Sequence, residues 1–268
     1  MIYQPVSASE TKTFTLALGQ MRVAGGEVTE NLARALATIE AAKKEGAALV
    51  VLPEVLDCGW CDQSGREEAG EIPGGPSFAT LARAATKHSL HVCAGLTERE
   101  GDLIYNAAVL LAPDGRLLLK HRKVNELDFA KRVYTTGTTA EAVCHTTLGR
   151  IGLMICADGF IAGETISRSL AAQGARLIVS PCAWAVPPHH DQEREPYGAL
   201  WRDVYGRVAK ESGIWIAGAS NVGTIRHGPW AGRHCIGCSM LVGPDGDVHA
   251  QGSYGPDAEE IIHAPIRL

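Results

Sequence analysis

Short, unbroken apolar runs recur along this chain, separated by stretches whose apolar residues fall every three or four positions. Ala48–Leu52 (ALVVL), Arg176–Ser180 (RLIVS) and Ile214–Ala219 (IWIAGA) lack the in–out alternation of a half-exposed strand. All three read as strands, and the continuous apolar run ALVVL as one buried on both faces. The intervening amphipathic segments end at helix-stop glycines, Gly46, Gly174 and Gly213. Such strands need helices to cover them, which points to an α/β architecture. With 268 residues, 46% of them hydrophobic, the chain can fill that core, and intrinsic disorder is excluded.

The same plan appears twice. In the first half Phe14–Gln20 reads as a strand, and Thr29 is placed to cap a helix with Leu32, Leu36 and Ile39 on one face. Pro76 opens a second helix with Phe78, Leu81 and Ala85 in one stripe, and His91–Leu96 is the next strand. Tyr105–Leu111 and Arg116–His121 flank Pro113-Asp114-Gly115, which is hairpin-turn chemistry. In the second half Arg150–Ile155 is a strand, Glu164–Gln173 a helix, and a further helix carries Leu200, Val204 and Val208. Ser239–Val242 and Asp247–Ala250 make a last hairpin across Pro244-Asp245-Gly246. No linker or low-complexity tract divides the chain, so a single domain is expected over 1–268, with 1–12 as an N-terminal lead. Two β-α-β halves joined by hairpins suggest one sandwich, its sheets packed together and its helices outside.

Several function classes fall away on composition. No apolar run approaches the ~18–20 residues of a membrane span, and residues 1–12 lack the basic-then-apolar plan of a signal peptide. Lys+Arg number 25 against 30 Asp+Glu, a net charge of −5 that offers no footprint for nucleic acid or an anionic membrane. A cytoplasmic protein with reduced thiols is expected. Each of its eight cysteines is then buried filler, a ligand or a nucleophile.

In open α/β sheets, reactive groups gather beyond the carboxyl ends of the strands. After VVL comes Pro53-Glu54; after the LLLK strand come Arg122, Lys123 and then Glu126; after GLMI come Cys156, Ala157 and Asp158. A thiol with a free pKa of about 8.5 is mostly protonated at neutral pH and needs a base beside it. A carboxylate drawn out of water serves as that base. An ammonium favours thiolate and then holds the oxyanion formed on attack, and the N–H after the nucleophile, on Ala157, is a natural second donor. Each residue alone has a plainer reading. A Cys closing a strand is often small buried filler, a Glu after Pro a solvated turn carboxylate, and a Lys in HRK a surface charge.

The order of these groups resembles the carbon–nitrogen hydrolases of the nitrilase superfamily, from about residue 13 to residue 268. The likeness is carried by LVVLPEVLDCGW (49–60), YNAAVLLAPDGRLLLKHRKVNEL (105–127) and GRIGLMICADGF (149–160). SPCAWAV (180–186), ASNVG (219–223) and GCSMLVGPDGDV (237–248) follow in the same order. The resemblance implies a four-layer α-β-β-α sandwich, paired as a homodimer through helices near the nucleophile or assembled into a higher homo-oligomer. It implies Glu54 as general base, Lys123 as oxyanion stabiliser, Cys156 as nucleophile and Glu126 near a second, structural glutamate. It also implies hydrolysis of a small amide or N-carbamoyl substrate through a thioester, with no metal or organic cofactor.

The sequence departs from the family pattern in places. Family members often carry Phe-Pro-Glu after the nucleophile segment; here Phe160 is followed by Ile161-Ala162-Gly163-Glu164. The small residues beside Cys156 suggest a roomier pocket or a mobile loop. The Cys-Trp-Glu and longer C-terminal tail usual in true nitrilases are absent, which favours amide or carbamoyl substrates over nitriles. Trp60, Tyr134, Cys182 and Trp184 follow motif ends and are candidate substrate contacts, with the loop Pro187–Pro196 as a rim; packing anchors are the alternative for the tryptophans. The principal rival class is a zinc-binding module using Cys58-x-x-Cys61 and Cys235-x-x-Cys238, although structural zinc pairs usually lie closer in sequence. A His189-His190-Asp191 ligand cluster, a Cys–His hydrolase and a non-catalytic binding protein on this fold are lesser rivals.

Overall fold

The apolar runs pair with one another in two sheets. The computed structural model describes residues 12–138 and 143–268, so the expected N-terminal lead lies, Lys12 excepted, outside the described residues. The first half runs β1 (Thr13–Gln20), α1 (Val28–Lys44), β2 (Ala47–Val51), α2 (Gly65–Glu68), α3 (Pro76–His88), β3 (His91–Glu100), β4 (Leu103–Leu111) and β5 (Leu117–Arg122). The second runs β6 (Val143–Thr146), β7 (Gly149–Leu153), α4 (Thr165–Ala172), β8 (Leu177–Cys182), β9 (Ala185–Val186), α5 (Ala199–Ser212) and β10 (Trp215–Ser220). Then come β11 (Val222–Thr224), β12 (His234–Ile236), β13 (Met240–Val242), β14 (Val248–Gln251) and β15 (Glu260–Arg267).

One six-stranded sheet has the order β15-β1-β2-β3-β4-β5, and the other β14-β13-β10-β8-β7-β6. Each has a parallel centre, β1-β2-β3 or β7-β8-β10, with antiparallel strands at its flanks. A small sheet, β11-β12-β9, lies apart. The parallel strands are buried over most of their length, and their two faces serve different cores. Leu16, Leu18, Leu49 and Val51 share a cluster with Ile151, Leu153 and Val179 of the second sheet. Ala17, Val50 and Val92 instead join Ile39 of α1 and Leu81 of α3. Ile166 and Leu170 of α4, with Val204 and Val208 of α5, cover the second sheet. The result is the expected α-β-β-α sandwich.

Three helices differ from the sequence expectation. Leu36 is 37% exposed and Leu200 52% exposed, whereas Ala35 and Ile39 on α1, and Trp201, Val204 and Tyr205 on α5, are buried. On α1 the cause is Asn31, whose carboxamide accepts from the Ala24 N–H and donates to the carbonyls of Ala24 and Asp57. Fixing that polar residue inward turns Leu36 out. Thr29 falls inside the first turn, because Val28 begins the helix and Glu27 holds the cap position without a side-chain hydrogen bond. The helix expected from Glu164 starts at Thr165, since Ala162, Gly163 and Glu164 all have positive φ, at 54, 68 and 62°, outside the right-handed helical region.

β3 approaches the turn after β2 so closely that only a glycine fits. A Cβ added at Gly95 would meet Glu54 Cα at 2.5 Å and Val55 N at 2.7 Å. Gly95→Ala is expected to cost about 1–3 kcal/mol, as overpacking does, and to lower activity by displacing Glu54. Urea unfolding and amide turnover check this; an unchanged midpoint would show that the strand shifts freely.

Candidate active site

Turns from both sheets bring a carboxylate, an ammonium and a thiol to one cavity. Glu54 follows β2, Lys123 follows β5 and Cys156 follows β7, and all three line the cavity together with Ala157. Lys123 Nζ lies 2.7 Å from Glu54 Oε1 and 3.9 Å from Glu126 Oε2. Asn106 Nδ2 also donates to Glu54 Oε1, at 2.6 Å.

Neighbouring strands hold each turn in place. The Glu54 N–H donates to the Cys182 carbonyl at 3.2 Å, and the Lys123 N–H to the Asn106 carbonyl at 2.9 Å. The Cys156 N–H donates to Ser180 Oγ at 3.0 Å. Asp158 ties the turns to each other. Its Oδ1 accepts from the N–H groups of Val124 and Asn125, and its Oδ2 lies 2.7 Å from His121 Nε2. The residue two places after Cys156 therefore holds the segment that carries Lys123.

Both Val55 and Cys156 have φ of 43°, a left-handed conformation uncommon for side-chain-bearing residues and concentrated at functional sites. The Ala157 N–H, at the cavity wall, has no hydrogen bond to another backbone group among the described residues.

Burial pushes the Cys156 thiol well above the usual range; Cys182 and Glu54 add to this, and Lys123 opposes it. Burial also works against the Lys123 charge, but Glu54, Glu126 and Cys156 outweigh it and hold the ammonium well above the ordinary lysine value. Glu126 is pushed up to about 8, chiefly by burial, with Lys123 opposing and Glu54 and Asp158 adding. Neither of its oxygens has a hydrogen-bond partner among the described residues. The resting site thus holds an ammonium and a protonated thiol, so the thiol proton must move as the sulfur attacks.

Of the candidate substrate contacts, Trp60 and Trp184 line the cavity, whereas Tyr134 and Cys182 do not. Tyr134 is buried behind it, its hydroxyl accepting from the Cys61 N–H at 2.9 Å. Cys182 points its thiol at the Ser180 carbonyl, 3.3 Å away, within β8. Sequence reasoning missed Phe160, Tyr197, Trp201 and Trp230, which complete the wall. The expected rim loop contributes only through its continuation into Tyr197 and Trp201. The rings form two groups. Trp60, Phe129 and Trp230 pack with centroids 4.8–5.5 Å apart, and Trp184 stacks on Trp201 at 4.3 Å. These rings fill the space beside Cys156, so its small neighbours do not open a large chamber; the volume is about 70 Å³.

The CxxC cysteines are all buried and free. Among the described residues, no group of three or more His, Cys, Asp or Glu is arranged to hold a metal ion.

The carbon–nitrogen hydrolase family model matches residues 15–268, and the chain belongs to that family. It is 33% identical over 202 residues to a nitrilase of Pyrococcus abyssi (strain GE5 / Orsay), covering 72% of this chain and 75% of that one. To an omega-amidase of Bos taurus it is 30% identical over 267 residues, covering 96% and 89%. The amidase from Nesterenkonia sp. AN1 shares the fold, with a TM-score of 0.81 at 20% identity over 94% of this chain and 90% of that one. Within the family the chain falls in the amidase-like branch of the nitrilase superfamily.

Two outcomes test this geometry. The Glu126 carboxyl binds its proton more tightly folded than unfolded, so its stabilising contribution is full below about pH 4.5 and is lost as pH rises towards 8. Across that window the wild type is expected to lose stability relative to Glu126→Gln, by as much as about 1.4 kcal/mol per pH unit. Parallel melting curves check it, and identical pH profiles would refute it. Asp158→Asn should loosen the segment carrying Lys123, cutting turnover by at least about tenfold with a smaller change in melting temperature; unchanged turnover would exclude the strap.

Proposed function

We propose that this amidase-type carbon–nitrogen hydrolase cleaves a small amide or N-carbamoyl compound through a thioester on Cys156. The observation that carries the reading is Lys123 Nζ, 2.7 Å from Glu54 in the cavity lined by Cys156. Glu54 takes the thiol proton as sulfur bonds to the carbonyl carbon, and the Lys123 ammonium and Ala157 N–H hold the oxyanion. As the intermediate collapses, the C–N bond breaks and Glu54 returns the proton to nitrogen, releasing ammonia or an amine. A water deprotonated by Glu54 then attacks the thioester, and the acid leaves as the thiol reforms. Glu126 keeps Lys123 oriented.

The omega-amidase relative and the Nesterenkonia amidase, which has been solved with butyramide bound, support amides as substrates. The Pyrococcus nitrilase supports nitriles as the second reading. We further propose a single catalytic unit that works in the cytoplasm as a homodimer. Free cysteines support a reducing compartment, and the exposed apolar Leu200 on α5 supports pairing near the nucleophile. No helix among the described residues is long and apolar enough to cross a membrane.

Intact-mass spectrometry during turnover of short amides tests the mechanism. An acyl adduct is expected on the wild type and not on Cys156→Ala, and Glu54→Gln is expected to lower kcat by about 10²–10⁴. Full activity of Cys156→Ala would sink the mechanism, and turnover of nitriles alone would reverse the substrate ranking.

A further inference from the structure

The cavity beside Cys156 is walled by six aromatic rings and by the aliphatic side chains of Leu127, Ala183 and Ala185. Among the described residues, Glu54 and Lys123 are the only charged ones that line it. Lys123 lies 2.7 Å from Glu54 and 3.9 Å from Glu126, and its ammonium is committed to the oxyanion at the reacting carbon, so it offers no separate cation to a carboxylate on the acyl chain. The indole nitrogens of Trp60 and Trp184 are buried and have no hydrogen-bond partner among the described residues; they are neutral donors and supply no charge. Tyr197 adds a hydroxyl but no charge. Arg233 lies against the ring of Trp230, its guanidinium carbon 4.3 Å from the centroid, and lines no part of the cavity. The volume of about 70 Å³ is less than half of the roughly 150 Å³ apolar cavity that takes up benzene.

Resting on the thioester reading above, we infer that the acyl group accepted here is short, uncharged and apolar, an aliphatic chain of about two to four carbons. Amides bearing a carboxylate are excluded. A carboxylate placed against these rings would lose its hydration without gaining a free cation. It would also face the Glu54 carboxylate. An aliphatic chain loses nothing polar and gains contact with the rings. Selectivity therefore comes from the absence of a counter-charge, not from a residue dedicated to recognition.

Butyramide and succinamate differ by a terminal methyl against a carboxylate, and their kcat/KM values on the wild-type enzyme test the inference. Butyramide is expected to be favoured by about 100-fold. An advantage below tenfold overturns the inference but leaves amide hydrolysis standing. Turnover of neither, with no adduct on Cys156, overturns the thioester reading beneath it. Trp230→Arg places a cation in the wall and should narrow the ratio at least tenfold, while Trp230→Leu should not. If both variants leave the ratio unchanged, the missing counter-charge is not its cause and the inference fails. Benzamide should be turned over at least tenfold less well than butyramide, and equal turnover overturns the size limit.

Discussion

A buried ammonium sets the terms for the rest of this molecule. Removing a charge of that kind from water costs several kcal/mol even after relaxation, and Lys123 is 2% exposed. It is sustained by Glu54 and Glu126, and Glu54 is held by Asn106. All four residues belong to the first sheet or to the turns that leave it. Cys156 belongs to the second. The charged apparatus and the thiol thus meet only because the two sheets pack face to face. The bond from the Glu54 N–H to Cys182 and those from Val124 and Asn125 to Asp158 fix how they meet.

The aromatic wall acts on the same electrostatics. Rings around a charged pair exclude water and lower the local dielectric, which strengthens every attraction inside the site and raises the penalty for any unpaired charge. In such surroundings the neutral thiol is the favoured resting form of Cys156, and its proton leaves as sulfur attacks the substrate. The left-handed backbone at Cys156 and Val55 is held against its intrinsic preference by hydrogen bonds and packing on either side, as strained turns at reactive sites commonly are.

Much of this was legible from the residues. Buried parallel strands announce themselves as unbroken apolar runs, and the positions just beyond them drew attention to Glu54, Lys123 and Cys156, which the fold brings together. Helix phase was harder to read. On α5, Leu200 and Trp201 are adjacent, and apolar spacing alone suits either; packing against Tyr205 and Trp184 chose Trp201, so a wall residue was overlooked. Asn106 left a faint trace, a lone amide inside the apolar run YNAAVLL, where a buried polar group requires a partner. The pairing of Asp158 with His121 left none, because it depends on the turn after β7 lying over β5 of the other sheet. Trp230 sits in a glycine-bounded segment far along the chain, and no periodicity connects it with Trp60.

The protonated state of Cys156 also bears on how this chain survives in a cell. Oxidants and alkylating agents attack thiolates, and their rates follow thiolate content and exposure. Cys58, Cys93, Cys235 and Cys156 are all buried and have thiols raised chiefly by burial. A thiol held in its protonated form by burial presents less thiolate to such reagents between turnovers. The enzyme can thus carry eight cysteines and stay chemically quiet, its reactivity summoned by substrate.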